Sequence, residues 1–192
     1  MRIVAGVVAL MAVAVGVATA APSAGFHAPA QVAVPAERGD ALSIRAEGSE
    51  HCPSHGHAAV IDRTAQAAWL CADGSALPKY PITTARNQPD PGSYTVYAKD
   101  RLTTSTFGGH FSYLDNFVAF ARGKFTGARV AFHAVPRTAG GRPYQPYDTV
   151  GSPQWHGASS GCIRVLPEQS RVIWDHLAVG DRVIVIPFMS GG

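Results

Sequence analysis

The chain has 192 residues, 46% of them apolar and 15% charged, with a net charge of +3 at neutral pH. That length accommodates one ordinary domain with an extension, and the apolar share is that of a globular chain with a real core. The charge is mild and no run of Lys and Arg occurs, so the concentrated basic face that nucleic acid requires is missing.

Residues 1–20, MRIVAGVVALMAVAVGVATA, carry Arg2 near the start, an uninterrupted apolar run and a small-x-small close at Ala18-Thr19-Ala20. This is the pattern of a secretory signal peptide cut after Ala20. The run is short for a membrane span and no second apolar stretch could cross a bilayer, so an exported chain with no membrane span after cleavage is expected. No cysteine follows the cut, which argues against lipid attachment. Residues 21–48 are rich in Ala and Pro without sustained periodicity and read as a flexible spacer. The domain proper is expected over 49–188.

Within it, HAAVIDR (57–63) and AAWLCAD (67–73) read as a hairpin joined at Thr64-Ala65-Gln66. ALPKYPITTA (76–85) gives a further strand, NQPDPG (87–92) a turn, and SYTVYAKD (93–100) another strand. A polar, Thr-rich connection follows. SYLDNFVAFAR (112–122) and GARVAFHAV (127–135) are strands around a turn near Gly123-Lys124. A long irregular segment spans 136–161. LPEQSRVIWDHLAVG (166–180) is the one convincing helix, with Pro167 in its first turn, Glu168 at its positive end and Gly180 as its stop. RVIVIPF (182–188) is a closing apolar strand, expected to be buried. The residues thus describe a mostly β domain of about 140 residues with one short helix near its C-terminus, a size typical of one domain. Tyr94, Tyr97, Phe107, Phe111, Tyr113, Phe117 and Phe120 fall mostly at core positions of these strands.

Three cysteines in an exported chain leave at least one unpaired. Cys52 lies just before the first hairpin strand and Cys71 late in the second, so folding back brings them to one end. A Cys52–Cys71 bridge is expected, worth roughly 3 kcal/mol by loop closure. Cys162, in GASSGCIRV (157–165), is then the free thiol. The cluster His51, Cys52, His55 and His57 has ligand-like spacing. A tetrahedral site needs all four, and Cys52 is better used in the bridge, so no metal or cofactor is expected.

A thiol needs a base to ionise at neutral pH, and histidine suits that task. His133 closes its strand on the face opposite Phe132, and the 136–161 loop then leads to Cys162. If 162–165 is extended, Cys162 and Arg164 project to one side. Arg164 then adds positive potential or grips a substrate carboxylate. Gly157 and Gly161 permit close approach of a ligand, and the amides there suit an oxyanion. Blander readings stand beside these. Cys162 as an inert buried thiol is an even alternative from spacing alone. His133 is equally a satisfied strand histidine, His156 a loop cap, His176 helix packing, and Arg164 an ion-pair partner.

Together, FHAVP, a long loop, SSGCIRV, a helix and GDRVIVIP resemble the L,D-transpeptidase (YkuD-type) catalytic domain, and in particular its exported actinobacterial members. The likeness covers about 57–187. It implies a β-sandwich-like fold with the cysteine in a groove under a lid formed by 136–158. It also implies a cysteine acyltransferase of peptidoglycan. In that frame Cys162 matches the nucleophile and His133 its base. The Ala134 carbonyl matches the group that orients the histidine, and Gly161 and Cys162 match the oxyanion donors. Ser159 matches the family's Ser/Thr, and Arg164 the Arg or Asn after the cysteine. Ser160 stands where the family most often has histidine, which leaves activation to His133, and His156 is a candidate substrate contact. The implied ligands are peptidoglycan stem peptides, with carbapenem-type β-lactams as inhibitors. The alternatives are an L,D-carboxypeptidase acting on the same bond, a γ-D-glutamyl endopeptidase, or a catalytically silent wall-binding module. The endopeptidase is disfavoured, because there a helix follows the cysteine and the histidine comes later.

Overall fold

The computed structural model describes residues 46–187. The expected signal peptide (1–20) lies outside the described residues, as does the spacer up to residue 45. No helix among the described residues is long and apolar enough to cross a membrane.

Two sheets pack face to face. The first contains β1 (His57–Asp62), β2 (Ala67–Ala72), β3 (Ser75–Ala76), β4 (Tyr80–Pro81), β5 (Gly92–Thr95) and β10 (Arg182–Val185). Its order is β3-β2-β1-β10-β5, with β4 also on β2, and β10 runs parallel to β1. The second contains β6 (Ala98–Ser105), β7 (Ser112–Arg122), β8 (Arg129–Ala134) and β9 (Ile163–Val165), in that order, with β9 parallel to β8. The one α-helix among the described residues, α1 (Pro167–His176), packs on β7 and β8. The mostly β fold with a single short helix near the C-terminus therefore holds.

The core lies between the sheets. Ala59, Ile61, Leu70, Val183 and Val185 of the first sheet meet Val118, Phe120, Val130, Phe132, Ile163 and Val165 of the second. Ile173 and Leu177 close it. Strand alternation puts these residues on one face of each sheet. On the second sheet the opposite face carries Leu114, Phe117, Ala119 and Ala131, with Cys162 packed against them.

Several expected elements are cut differently. The single strand expected over 93–100 is two strands in different sheets. Val96 is fully buried and bonded to the 180–181 turn, while the Tyr97 N–H donates to the Ala119 carbonyl of the second sheet. The 76–85 strand is only short bridges. The helix stops at His176 rather than near Gly180. There the Lys99 ammonium donates to the Trp174 carbonyl (2.6 Å) and the Leu177 carbonyl (2.5 Å), satisfying the free C-terminal acceptors. The closing strand spans four residues, not seven, and is buried on alternate positions: Ile184 packs with Ala58, Val60, Trp69 and Cys71 on the far face of the first sheet. Tyr97, Phe107 and Phe111, grouped with core aromatics, are exposed.

That far face is covered by the start of the described chain. Cys52 and Cys71 form a disulfide with Cα atoms 5.5 Å apart. The Trp69 indole N–H donates to the Gly48 carbonyl at 3.3 Å, and the Ala76 N–H to Ser49 Oγ at 2.9 Å. Gly48, assigned to the spacer by composition, is buried. An added Cβ there would sit 2.9 Å from the Trp69 ring, so glycine is required for this approach. The bridge holds β2 to this cover. Replacing both cysteines by alanine is expected to cost about 3 kcal/mol in a denaturant titration. The intact chain labelled with maleimide under denaturing, non-reducing conditions should carry a single label, at Cys162.

Candidate active site

The parallel pairing of β8 with β9 sets His133 opposite Arg164 and Phe132 opposite Ile163. Parallel neighbours need a long crossover, and the 136–161 segment supplies it. Alternation sends Val130, Phe132 and Ala134 into the core and leaves Arg129, Ala131 and His133 on the other face. Cys162, just ahead of β9, packs on that second face. His133, Cys162 and Arg164 thus line one cavity of about 560 Å³ with Gln88, Phe117, Arg129 and Ser159–Gly161.

His133 is 2% exposed, with its ring stacked on Phe117 at 5.9 Å between centroids. Its Nδ1–H donates to the Ala134 carbonyl at 2.6 Å. A carbonyl can only accept, so Nδ1 carries the proton and Nε2 is left as the acceptor. Burial pushes its pKa down to about 4, the Ala134 bond pulls it up, and Arg164 pushes it down again. The ring is neutral across the physiological range.

Cys162 is half-buried. Its Sγ–H donates to the Arg129 carbonyl at 3.6 Å. Burial raises the thiol pKa to about 11, opposed by an Ala131 backbone hydrogen bond and by the charges of Arg164 and Arg129. The resting pair is therefore a neutral thiol beside a neutral imidazole.

The turn into Cys162 is built by Ser159, which is 7% exposed. Its Oγ–H donates to the Cys162 carbonyl at 2.7 Å and its oxygen accepts the Gly161 N–H at 3.2 Å. Ser159 thus holds the turn. The Gly161 amide, expected as an oxyanion donor, donates here to that serine. Ser160 is exposed on the cavity, and its carbonyl accepts from Gln88 Nε2. The Gln88 Oε1 accepts the Lys124 N–H at 3.0 Å, so one side chain ties the cysteine turn to the β7–β8 turn. A Cβ at Gly161 would fall 2.7 Å from Gln88 Nε2, and one at Gly157 2.7 Å from Arg86 Nε. At both positions a side chain would press on the protein's own side chains.

Gln88 is held from below by Arg63, which is 1% exposed. Its guanidinium donates to the carbonyls of Pro89 (2.7 Å), Ala85 (3.0 Å) and Arg86. The sequence marks 87–92 only as a turn and singles out neither residue. The signal that could have flagged Arg63 is an arginine ending an otherwise apolar strand.

Arg164 has carbonyl oxygens, not a carboxylate, as partners: Ala158 (3.0 Å) and Gln145 Oε1 (3.4 Å). Gln145 is fully buried and donates to Thr83 Oγ1 at 2.8 Å. Arg137 at the loop's start pairs with Asp115 through two bonds of 2.6 and 2.9 Å. The 136–158 segment, expected as a lid, is tied to the rest of the domain at both places and forms one wall of the cavity. Another wall is the tip of the β6–β7 hairpin, with Thr103–Gly108, His110 and Ser112, a stretch that the sequence shows only as a polar connection. Tyr144 joins the two walls, its hydroxyl donating to the Phe111 carbonyl at 2.8 Å. His156 does not line the cavity; its neighbour Trp155 does. His176 Nε2–H donates to the Cys71 carbonyl at 2.9 Å and its ring stacks on His57, so it packs at the disulfide, away from the cavity. Cys52 of the HCPSHGH cluster is committed to the disulfide.

The two-layer β fold thus presents a thiol and an imidazole, its tautomer fixed by the Ala134 carbonyl, on one cavity wall. The sequence profile described as the L,D-transpeptidase catalytic domain (YkuD) matches residues 56–185, and the chain belongs to that family. Among solved structures, it is similar to an L,D-transpeptidase from Mycobacterium smegmatis (23% identity, TM-score 0.52, 68% of this chain and 58% of that one). It is likewise similar to an L,D-transpeptidase from Stackebrandtia nassauensis (22%, 0.54, 73% and 60%). A third is L,D-transpeptidase 3 from Mycobacterium tuberculosis in complex with a faropenem-derived adduct (19%, 0.52, 69% and 60%). The chain spans about three-fifths of the length of these structures. No curated protein matches it significantly.

The depressed histidine has a consequence for stability. A folded pKa of about 4 means the native state binds fewer protons than the unfolded chain below about pH 6.5. The contribution is complete above that pH and is lost as pH falls toward 4, by roughly 3 kcal/mol. Denaturant titrations of wild type and His133→Asn should show a shallower acid limb in the variant; equal limbs would contradict a neutral buried His133.

Proposed function

We propose that the protein is an exported peptidoglycan L,D-transpeptidase that forms 3→3 crosslinks through a Cys162 acyl-enzyme. The observation that carries this reading is Cys162 beside His133 on one cavity wall, the imidazole locked with Nε2 as acceptor. Family membership supports it. Export is supported by the Cys52–Cys71 bridge, since such bridges persist outside the reducing cytosol.

In the proposed cycle the thiol leaves the Arg129 carbonyl and passes its proton to His133 Nε2. The thiolate attacks the carbonyl at the L-centre of diaminopimelate in a tetrapeptide donor. The oxyanion is met by the Cys162 amide, a donor of a kind worth about 3 kcal/mol. Collapse breaks the bond to D-Ala, which departs with the proton from His133. The side-chain amine of a second stem attacks the thioester, gives its proton to Nε2, and the thiolate leaves and is reprotonated. Ala134 keeps the ring oriented, and Ser159 and Gln88 hold the turn that carries the sulfur.

Incubation with a carbapenem followed by intact-mass measurement should give one adduct on wild type and none on Cys162→Ala. Absence of adduct on wild type, or an equal adduct on the variant, overturns the reading. His133→Ala should slow acylation by about 100-fold or more, the usual worth of a positioned base. With a defined tetrapeptide, crosslinked product is expected; tripeptide alone would assign hydrolysis instead.

Because thiol and imidazole must both start neutral, the acylation rate of the free enzyme should be flat between limbs near pH 4 and pH 11. Stopped-flow rates across pH 4–10 test this, and a fall already at pH 6.5 on the acid side would contradict it.

A further inference from the structure

We propose that Arg129 is a specificity-determining residue that recognises a free carboxylate of the donor on the side of Cys162 away from His133. The donor's identity rests on the reading above, while the carboxylate recognition stands on the geometry alone.

The cavity wall contains Arg129, Arg164, His110 and His133 and, among the described residues, no Asp or Glu. Such a lining favours an anionic ligand. The two arginines are set apart along one axis. Cys162 lies alongside Ala131, since Phe132 and His133 pair with Ile163 and Arg164. Arg164 is thus two residues beyond the sulfur along the strand direction and Arg129 two residues before it. Strand rise puts each roughly 6–7 Å along the sheet from the sulfur. A peptide whose scissile carbonyl meets Cys162 presents its two flanks to two different cations.

Arg129 is held in place. Its Nη1–H donates to Asp100 Oδ2 at 2.6 Å and its Nη2–H to Thr103 Oγ1 at 3.4 Å. The guanidinium lies 4.6 Å over the Phe117 ring, whose plane also stacks on His133. These contacts use two of the five N–H donors of a guanidinium. The remaining donors suit a second carboxylate, and the planar fork is fixed in advance, which reduces the ordering cost of binding. Arg164, by contrast, spends donors on the Ala158 and Gln145 oxygens that hold the loop wall.

The test uses Cys162 as the reporter. Iodoacetate and iodoacetamide alkylate the same thiolate and differ in a carboxylate, so the thiolate fraction cancels in the ratio of their rates. The folded wild type should show an iodoacetate-to-iodoacetamide ratio at least about 5-fold above that of the urea-unfolded chain. Arg129→Gln should lower the folded ratio several-fold and Arg129→Lys should keep most of it. A folded Arg129→Gln with an unchanged ratio overturns the proposal; so does a wild-type ratio equal to that of the unfolded chain, which needs no variant to fold. With tetrapeptide donors whose carboxylates are converted one at a time to carboxamides, one position should raise KM in wild type and not in Arg129→Gln. Equal effects in both proteins overturn the proposal. This alkylation readout needs no acyl transfer, so an inactive wild type would sink the transpeptidase reading and leave the Arg129 result standing.

Discussion

The parallel pairing of β8 with β9 is the constraint on which the site depends. It places two segments nearly thirty residues apart side by side, with His133 opposite Arg164. Because side chains alternate, the same pairing buries Phe132, Ile163 and Val165 in the sandwich core and turns His133 and Cys162 outward. A slip of one residue would reverse both faces at once. The hydrophobic core and the chemistry are therefore fixed by one register.

The second physical theme is desolvation. Taking an imidazole and a thiol out of water disfavours both charged forms, which pushes the histidine down and the cysteine up. Two flanking arginines soften the cost for the thiolate. The result is a pair that is neutral at rest, the starting state the proposed cycle requires. This arrangement places the burden on geometry: the Ala134 carbonyl sets the imidazole tautomer, and Ser159 sets the turn that presents the sulfur.

Around that pair the fold uses buried polar groups as struts. Arg63 gathers three carbonyls beneath the 85–90 segment, Gln88 rises from it to the Ser160 carbonyl and the Lys124 amide, and Gln145 ties the loop wall to Thr83. Their partners are backbone groups, the Thr83 hydroxyl and the Arg164 guanidinium, which offset the cost of burying polar groups. None is a residue that reacts, yet each fixes the position of a wall that a substrate would meet.

Local sequence was sufficient for much of this. The alternation in ARVAFHAV and the extended IRV put His133 opposite Phe132 and Cys162 with Arg164. The hairpin at 57–72 brought Cys52 to Cys71, and the resemblance named the family. These features depend on periodicity and on neighbours close in the chain. What only the tertiary structure decided depends on distant groups. Val96 sends one apparent strand into two sheets, and Lys99 ends the helix four residues before Gly180. Gln88 and Arg63 become supports of the cysteine turn, His156 is left off the cavity wall, and Arg129 comes to lie near the sulfur. Each of these is set by a contact across dozens of residues, and a hydrogen bond to a distant carbonyl leaves no periodic trace in the chain that makes it.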